Sequence, residues 1–178
     1  MRASILVRWI SAIAAVSILG LLACEESPRT TATRNVENPW VFVQSAMPLL
    51  VLVHGLPYPA PEVAVEDAVV DLAREAVTWT SAPRFTPVPA QAGSAVLRAV
   101  YVFNGQPSAD PCADDVIGGT WQQGGRITLI AALCDGSVML ARVDGLLKRQ
   151  GGLDDPRFAK LIAQATRDLL APPPAPRP

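Results

Sequence analysis

The fold is decided by residues 127–143, which read ITLIAALCDGSVMLARV. Two strand-like runs, residues 127–133 and 137–143, flank the pair Asp135-Gly136. An Asp-Gly pair between two such runs is a strong hairpin signal, because both central residues of a type I′ turn need a positive φ. The sequence therefore predicts two antiparallel strands joined by a tight turn at this pair.

Further strands are predicted upstream of this hairpin. Residues 47–53 form an almost uninterrupted apolar run, and residues 94–103 are rich in β-branched and aromatic side chains. The first run is typical of a strand that is buried on both faces of a sheet, and the composition of the second is typical of a strand. A short edge strand is also predicted at residues 41–44.

Two amphipathic helices complete the pattern, each with one apolar stripe at helical spacing. The first follows Pro61, and its stripe comprises Val65, Val69, Leu72, Ala76 and Trp79. The second opens at Asp155-Pro156, an N-cap followed by a proline at the first helical position, and its stripe comprises Phe158, Leu161, Ile162, Ala165 and Leu169. The order β-α-β-β-β-α predicts an α/β fold, a two-layer sandwich of about four strands with two helices on one face.

The N-terminal segment is typical of an exported protein. Arg2 and Arg8 precede 16 uncharged, mostly apolar residues, which end before Glu25. This is the pattern of a secretory signal peptide, and the run is shorter than the roughly 20 apolar residues of a membrane-spanning helix. The alternative is an uncleaved anchor that also uses the residues before Arg8.

The signal segment ends in Leu21-Leu22-Ala23-Cys24, which resembles the lipobox of bacterial lipoproteins. The resemblance implies that a signal peptide of residues 1–23 is removed and that Cys24 carries a diacylglycerol and a further fatty acyl chain such as palmitate. Two or more chains hold a protein stably on a membrane. Asp often follows the cysteine of lipoproteins kept in the inner membrane, so Glu25 favours the periplasmic face of the outer membrane. A plain secretory leader, in which Cys24 bears no lipid, is the alternative.

The composition of the remaining segments predicts where the domain begins and ends. Residues 24–38 are polar and are predicted to be a lipidated, flexible tether, residues 39–170 the α/β domain, and residues 171–178 a proline-rich tail. A chain of 178 residues has room for one domain. With a net charge of −1, it lacks the excess of basic residues that nucleic-acid binding needs.

Two cysteines remain besides Cys24. In a compartment that oxidises thiols, Cys112 and Cys134 are predicted to form a disulfide. A metal site of these two cysteines with His54 is the alternative, but it lacks a fourth ligand. We predict no metal and no cofactor.

The single histidine lies in residues 48–57, PLLVLVHGLP, which resemble the strand and oxyanion-loop segment of α/β-hydrolases. Such an enzyme also needs a serine in a G-x-S-x-G elbow and a histidine later in the chain, and the sequence contains neither. We therefore predict no catalytic site. His54 is expected either to bond to backbone in a proline-rich turn or to line a small ligand pocket with Tyr58.

These observations predict a non-enzymatic, lipid-anchored lipoprotein of the cell envelope whose domain faces the periplasm. The domain resembles the small α/β modules of other bacterial envelope lipoproteins. It would act by binding or as an accessory in assembly, with the membrane and an envelope protein as partners. The alternative is a small-molecule-binding or hydrolase-like enzyme that uses the His54-Gly55 loop.

Overall fold

A computed structural model describes residues 27–122, 124–148 and 151–173. The predicted signal peptide, the lipidation candidate Cys24 and the last residues of the proline-rich tail lie outside these ranges. The elements in chain order are β1 (Arg29–Arg34), α1 (Pro39–Ser45), β2 (Leu49–His54), α2 (Glu62–Ala76), β3 (Phe85–Thr86), a 3₁₀ turn (Pro89–Gln91), β4 (Leu97–Phe103), β5 (Ile127–Asp135), β6 (Val138–Leu147) and α3 (Pro156–Leu170). In the described ranges no helix is both long and apolar enough to cross a membrane.

The described strands form one mixed sheet in the order β1-β6-β5-β4-β2-β3. Strand β2 runs parallel to β3 and β4, while the remaining neighbours are antiparallel. The predicted α/β class is confirmed. The sheet has six strands where about four were predicted, because β1 and the two-residue β3 were not recognised in the sequence.

The two faces of the sheet are covered differently. Alternate strand residues such as Val51, Tyr101 and Leu129 join the side chains of the helices in the main core. Their neighbours on the opposite face, among them Val100 and Ile130, form a smaller cluster. Side chains alternate along a strand, so one run of apolar residues supplies both clusters. We call the second side the helix-free face.

The predicted hairpin is confirmed. Strands β5 and β6 pair from Ile127 opposite Leu147 to Asp135 opposite Val138. The two residues between the paired ends are Gly136 and Ser137, so the turn lies one residue later than predicted. Gly136 has a φ of +58°, and Ser137 does not have a positive φ. The turn is therefore not of type I′, which needs positive φ at both central residues.

The predicted tether is wrong for residues 29–34, which form β1 along the free edge of β6. The strand is almost entirely exposed and carries no apolar alternation, which explains why its composition indicated a flexible segment. Pairing with the backbone of β6 holds it in place. The Thr30 hydroxyl also donates to an Asp168 carboxylate oxygen at 2.6 Å, and Arg34 Nη2 donates to the Asp168 carbonyl at 2.8 Å.

The edge strand predicted at residues 41–44 is also wrong, because these residues lie in helix α1. Pro39 is the first residue of the helix, where a proline is well tolerated because the N–H that it lacks would have no partner within the helix. Trp40 and Val43, three residues apart, are buried, while Val41 and Phe42 are exposed. The burial follows helical spacing, and only packing on the core distinguishes this short segment from a strand.

Helix α3 agrees with the prediction. Its five predicted stripe residues are all buried, and the Asp155 carboxylate accepts the Arg157 backbone N–H at 2.8 Å as the N-cap. Inside the core, the hydroxyls of Tyr101 and Thr166 lie 2.9 Å apart. Thr166 donates to the Ile162 carbonyl at 2.7 Å, so its only hydroxyl proton is used and Tyr101 must be the donor between them.

Candidate ligand pocket beneath a disulfide-bonded loop

The helix-free face is covered by residues 105–119, which we call the cover loop. Cys112 of this loop is bonded to Cys134 of β5, as the sequence predicted, with a Cα–Cα distance of 5.6 Å. Both cysteines are buried in the smaller apolar cluster. The alternative metal site with His54 is therefore wrong, because the two sulfur atoms are bonded to each other. Among the described residues, no group of three or more His, Cys, Asp or Glu is placed to hold a metal.

Two arginines of the sheet also fasten the cover loop. Arg98 of β4 donates from Nη2 to the Cys112 carbonyl at 2.8 Å. Arg142 of β6 donates from Nη2 to the Pro107 carbonyl at 3.1 Å. Together with the disulfide, these bonds attach the loop to three adjacent strands.

The loop closes against the end of β2 through glycines. Gly55 has a φ of +81°, and a Cβ on it would overlap the Phe103 carbonyl and the backbone of Gly118. The Leu56 N–H donates to the Gly119 carbonyl at 2.9 Å, and the Gly119 N–H donates to the Phe103 carbonyl at 2.8 Å. Glycine is required here because the backbones approach too closely for a side chain.

Between the cover loop and β2 and β4 lies a cavity of about 260 Å³, which we call the cover-loop pocket. Leu50, Leu52 and Val100 line it from the sheet, and Pro111, Ala113 and Val116 line it from the loop. The polar and charged side chains in its lining are His54, Arg98 and Asp114. A mostly apolar cavity with a few convergent polar groups is the usual form of a small-molecule site.

Arg98 is the functional candidate that the sequence analysis missed. Its side chain is only 11% exposed, and it contacts Asp114 with a long Nη2–Oδ1 distance of 3.5 Å. Both contacts of Arg98 use Nη2, and its Nε and Nη1 atoms make no hydrogen bond within the described part of the chain. The available signal was one charged residue in the otherwise uncharged segment Leu97–Phe103.

His54 ends β2 and is half-buried at the other end of the pocket. Its imidazole makes no hydrogen bond within the described ranges, so the predicted bond to backbone is not present. Burial, and secondarily the Arg98 charge, lower the pKa of His54 below its usual 6.5. The imidazole is therefore neutral at pH 7. The Asp114 carboxylate lines this pocket with His54, and the Glu62 carboxylate lines a second cavity of about the same volume that His54 also borders.

Tyr58 does not share this pocket. It is buried in the main core on the helix side, where its ring meets Phe158 edge to face at 5.2 Å. Burial, and secondarily the carboxylate of Asp155, raise the pKa of Tyr58 to about 12. The structure thus places His54 and Tyr58, four residues apart, on opposite faces of the sheet.

Comparisons with known proteins leave the family open. No protein-family model matches this chain, and no curated protein matches it either. Its structure is similar to that of a PelC dodecamer from Paraburkholderia phytofirmans, with a TM-score of 0.43 and 14% identity over 82% of this chain and 98% of that one. A point variant of that dodecamer gives a TM-score of 0.45 and 13% identity over 81% and 98%. Similarity at this level assigns neither a fold family nor a function.

Proposed function

We propose that this chain is a lipid-anchored lipoprotein of the bacterial envelope whose domain faces the periplasm and acts by binding. The observation that carries the proposal is the use of its three cysteines. Cys24 ends a lipobox-like sequence, while Cys112 and Cys134 are bonded to each other. Disulfides persist in oxidising compartments such as the periplasm and are rare in the cytosol. An exported chain with one lipidated and two paired cysteines has no thiol left over.

The anchor would hold the domain close to the bilayer. Strand β1 begins at Arg29, five residues after Cys24. An extended chain spans at most about 3.6 Å per residue, so this link reaches roughly 18 Å. The proposed lipoprotein therefore carries its domain next to the membrane surface.

The pocket supports binding over catalysis. The residues that line it include no hydroxyl or thiol nucleophile. His54 makes no hydrogen bond to a carboxylate among the described residues, and a base in a catalytic triad needs such a partner to orient it. The hydrolase-like alternative would have to use the imidazole of His54 without either group.

Replacing Cys24 tests the proposed lipid anchor and membrane location. Wild-type protein is expected in the membrane fraction, with a mass that lacks residues 1–23 and includes fatty acyl chains. Cys24→Ala should lose the acyl mass and the lipoprotein cleavage. The matched control is the double variant Cys112→Ala, Cys134→Ala, which removes cysteines without touching the lipobox and should keep the acyl mass. An unprocessed wild-type chain in the cytosol with reduced thiols would contradict the proposal.

Ester hydrolysis tests the binding role against the enzymatic alternative. We expect wild-type protein and His54→Ala to hydrolyse short-chain p-nitrophenyl esters at the same background rate. A wild-type rate above background that His54→Ala abolishes would favour the enzyme.

A further inference from the structure

We propose that the cover-loop pocket binds a small organic carboxylate, with the carboxylate on Arg98 and an apolar body on Leu52 and Val100. This inference deepens the proposed binding role by naming the chemical class of ligand. It is independent of the lipid anchor at Cys24.

Arg98 makes one end of the pocket cationic, and this end is suited to an anionic group. The Arg98 guanidinium has five N–H donors, of which Nη2 reaches the Cys112 carbonyl at 2.8 Å and Asp114 at 3.5 Å. Nε and Nη1 are not fully buried, so water can reach them, and a ligand carboxylate would take the place of that water. The Asp114 carboxylate is fully exposed, so water competes for it and solvent screens its attraction to Arg98. A ligand carboxylate could accept from Nη1 on one edge of the guanidinium or from Nε on the other edge.

The rest of the pocket fits an apolar body of limited length. Arg98 lies opposite Leu50 in the β2–β4 register, and His54 lies four residues beyond Leu50. At about 3.3 Å per residue the two polar ends are separated by roughly 13 Å of strand. Leucine, valine, alanine and proline side chains line most of the space between them. The cavity of about 260 Å³ equals the volume of roughly nine water molecules.

The fastening of the cover loop favours a preformed site. Four of the lining residues, Pro111, Ala113, Asp114 and Val116, belong to the loop, which is fixed by the Cys112–Cys134 disulfide and by Arg98 itself. A site that is already in shape loses little entropy on binding. The pocket can therefore bind a small ligand without rearrangement of the sheet.

The test titrates the full-length protein in a nonionic detergent with 3-phenylpropionate and, in parallel, with its neutral counterpart 3-phenylpropanamide. The chain has one histidine, so the Cε1–H proton resonance of His54 is a unique NMR reporter at the far end of the pocket. We expect a saturable shift with the carboxylate at millimolar concentrations and at least about tenfold weaker binding of the amide.

Three variants separate the role of the Arg98 charge from the fastening of the loop. Arg98→Gln should weaken carboxylate binding about tenfold or more, while Arg98→Lys, which keeps the charge without the planar set of donors, should lose less affinity than Arg98→Gln. Arg142→Gln is the matched control, because Arg142 fastens the same loop and does not line the pocket. It should change the affinity by less than about twofold.

Three outcomes would overturn the inference. They are no saturable shift in wild-type protein, equal affinity for the carboxylate and the amide, or an equal loss in Arg98→Gln and Arg142→Gln. Each of these would leave the lipid anchor untouched, since that part of the proposed function is decided by the acyl mass on Cys24.

Discussion

Reduction of the disulfide between Cys112 and Cys134 should destabilise the domain by about 3 kcal/mol. The bond closes a loop with a sequence separation of 22 residues. In the chain-entropy account, a cross-link of this span removes roughly 11 cal/mol/K from the unfolded ensemble, which is about 3.4 kcal/mol at 25 °C. Small domains have total stabilities of about 5–15 kcal/mol, so this contribution is large.

The measurement is urea unfolding of the wild-type chain with and without a phosphine reductant. The chain contains four tryptophans, whose fluorescence can follow the transition. With slopes of about 1–3 kcal/mol/M, the expected loss lowers the midpoint by roughly 1–3 M urea. Reduction leaves the sequence unchanged, so the comparison isolates the cross-link from side-chain packing.

A double variant, Cys112→Ala with Cys134→Val, serves as the control for the reductant. Its midpoint should not respond to reduction. Thiol titration of the unfolded, unreduced wild-type protein should detect neither Cys112 nor Cys134. A wild-type loss below about 1 kcal/mol would refute the reasoning, because the bond would then scarcely restrict the unfolded chain.

Three further substitutions test the core, the pocket and the helix cap. Thr166→Val should lower the free energy of unfolding by about 1–3 kcal/mol in urea titrations, more than Tyr101→Phe at about 1 kcal/mol, because only the former leaves a buried hydroxyl donor without its acceptor. An equal cost would contradict that donor assignment. The pKa of His54 is lowered in the folded state by burial and by Arg98, so the unfolded chain binds the proton more tightly. Stability should therefore fall as the pH drops below about 6.5 and level off below the folded-state pKa, and His54→Gln should flatten this part of the profile. Asp155→Ala should cost about 1–2 kcal/mol through the lost N-cap and ion pair, and Asp155→Asn should cost less because it can still cap the helix, with thermal unfolding as the check.

The sequence alone was sufficient for features whose cause is local. The hairpin of β5 and β6 follows from two strand-like runs around a glycine turn, and its two-residue loop leaves little freedom in the pairing. Helix α3 was predictable from the Asp155-Pro156 start and a stripe at helical spacing. The Cys112–Cys134 bond was predictable because the leader predicted an oxidising compartment and left two cysteines.

Tertiary structure decided the features whose cause lies elsewhere in the chain. Strand β1 is a polar segment that becomes a strand because β6 offers it a free edge, and α1 is helical because Trp40 and Val43 pack on the core. The pocket depends on which face each strand residue takes and on what then covers that face. Arg98 lies under a loop that comes from 14 residues further along the chain, so its own segment gave no indication of the carbonyl it would meet. Periodicity and turn chemistry are properties of neighbours in sequence, whereas a pocket is a property of segments that meet only after the chain has folded.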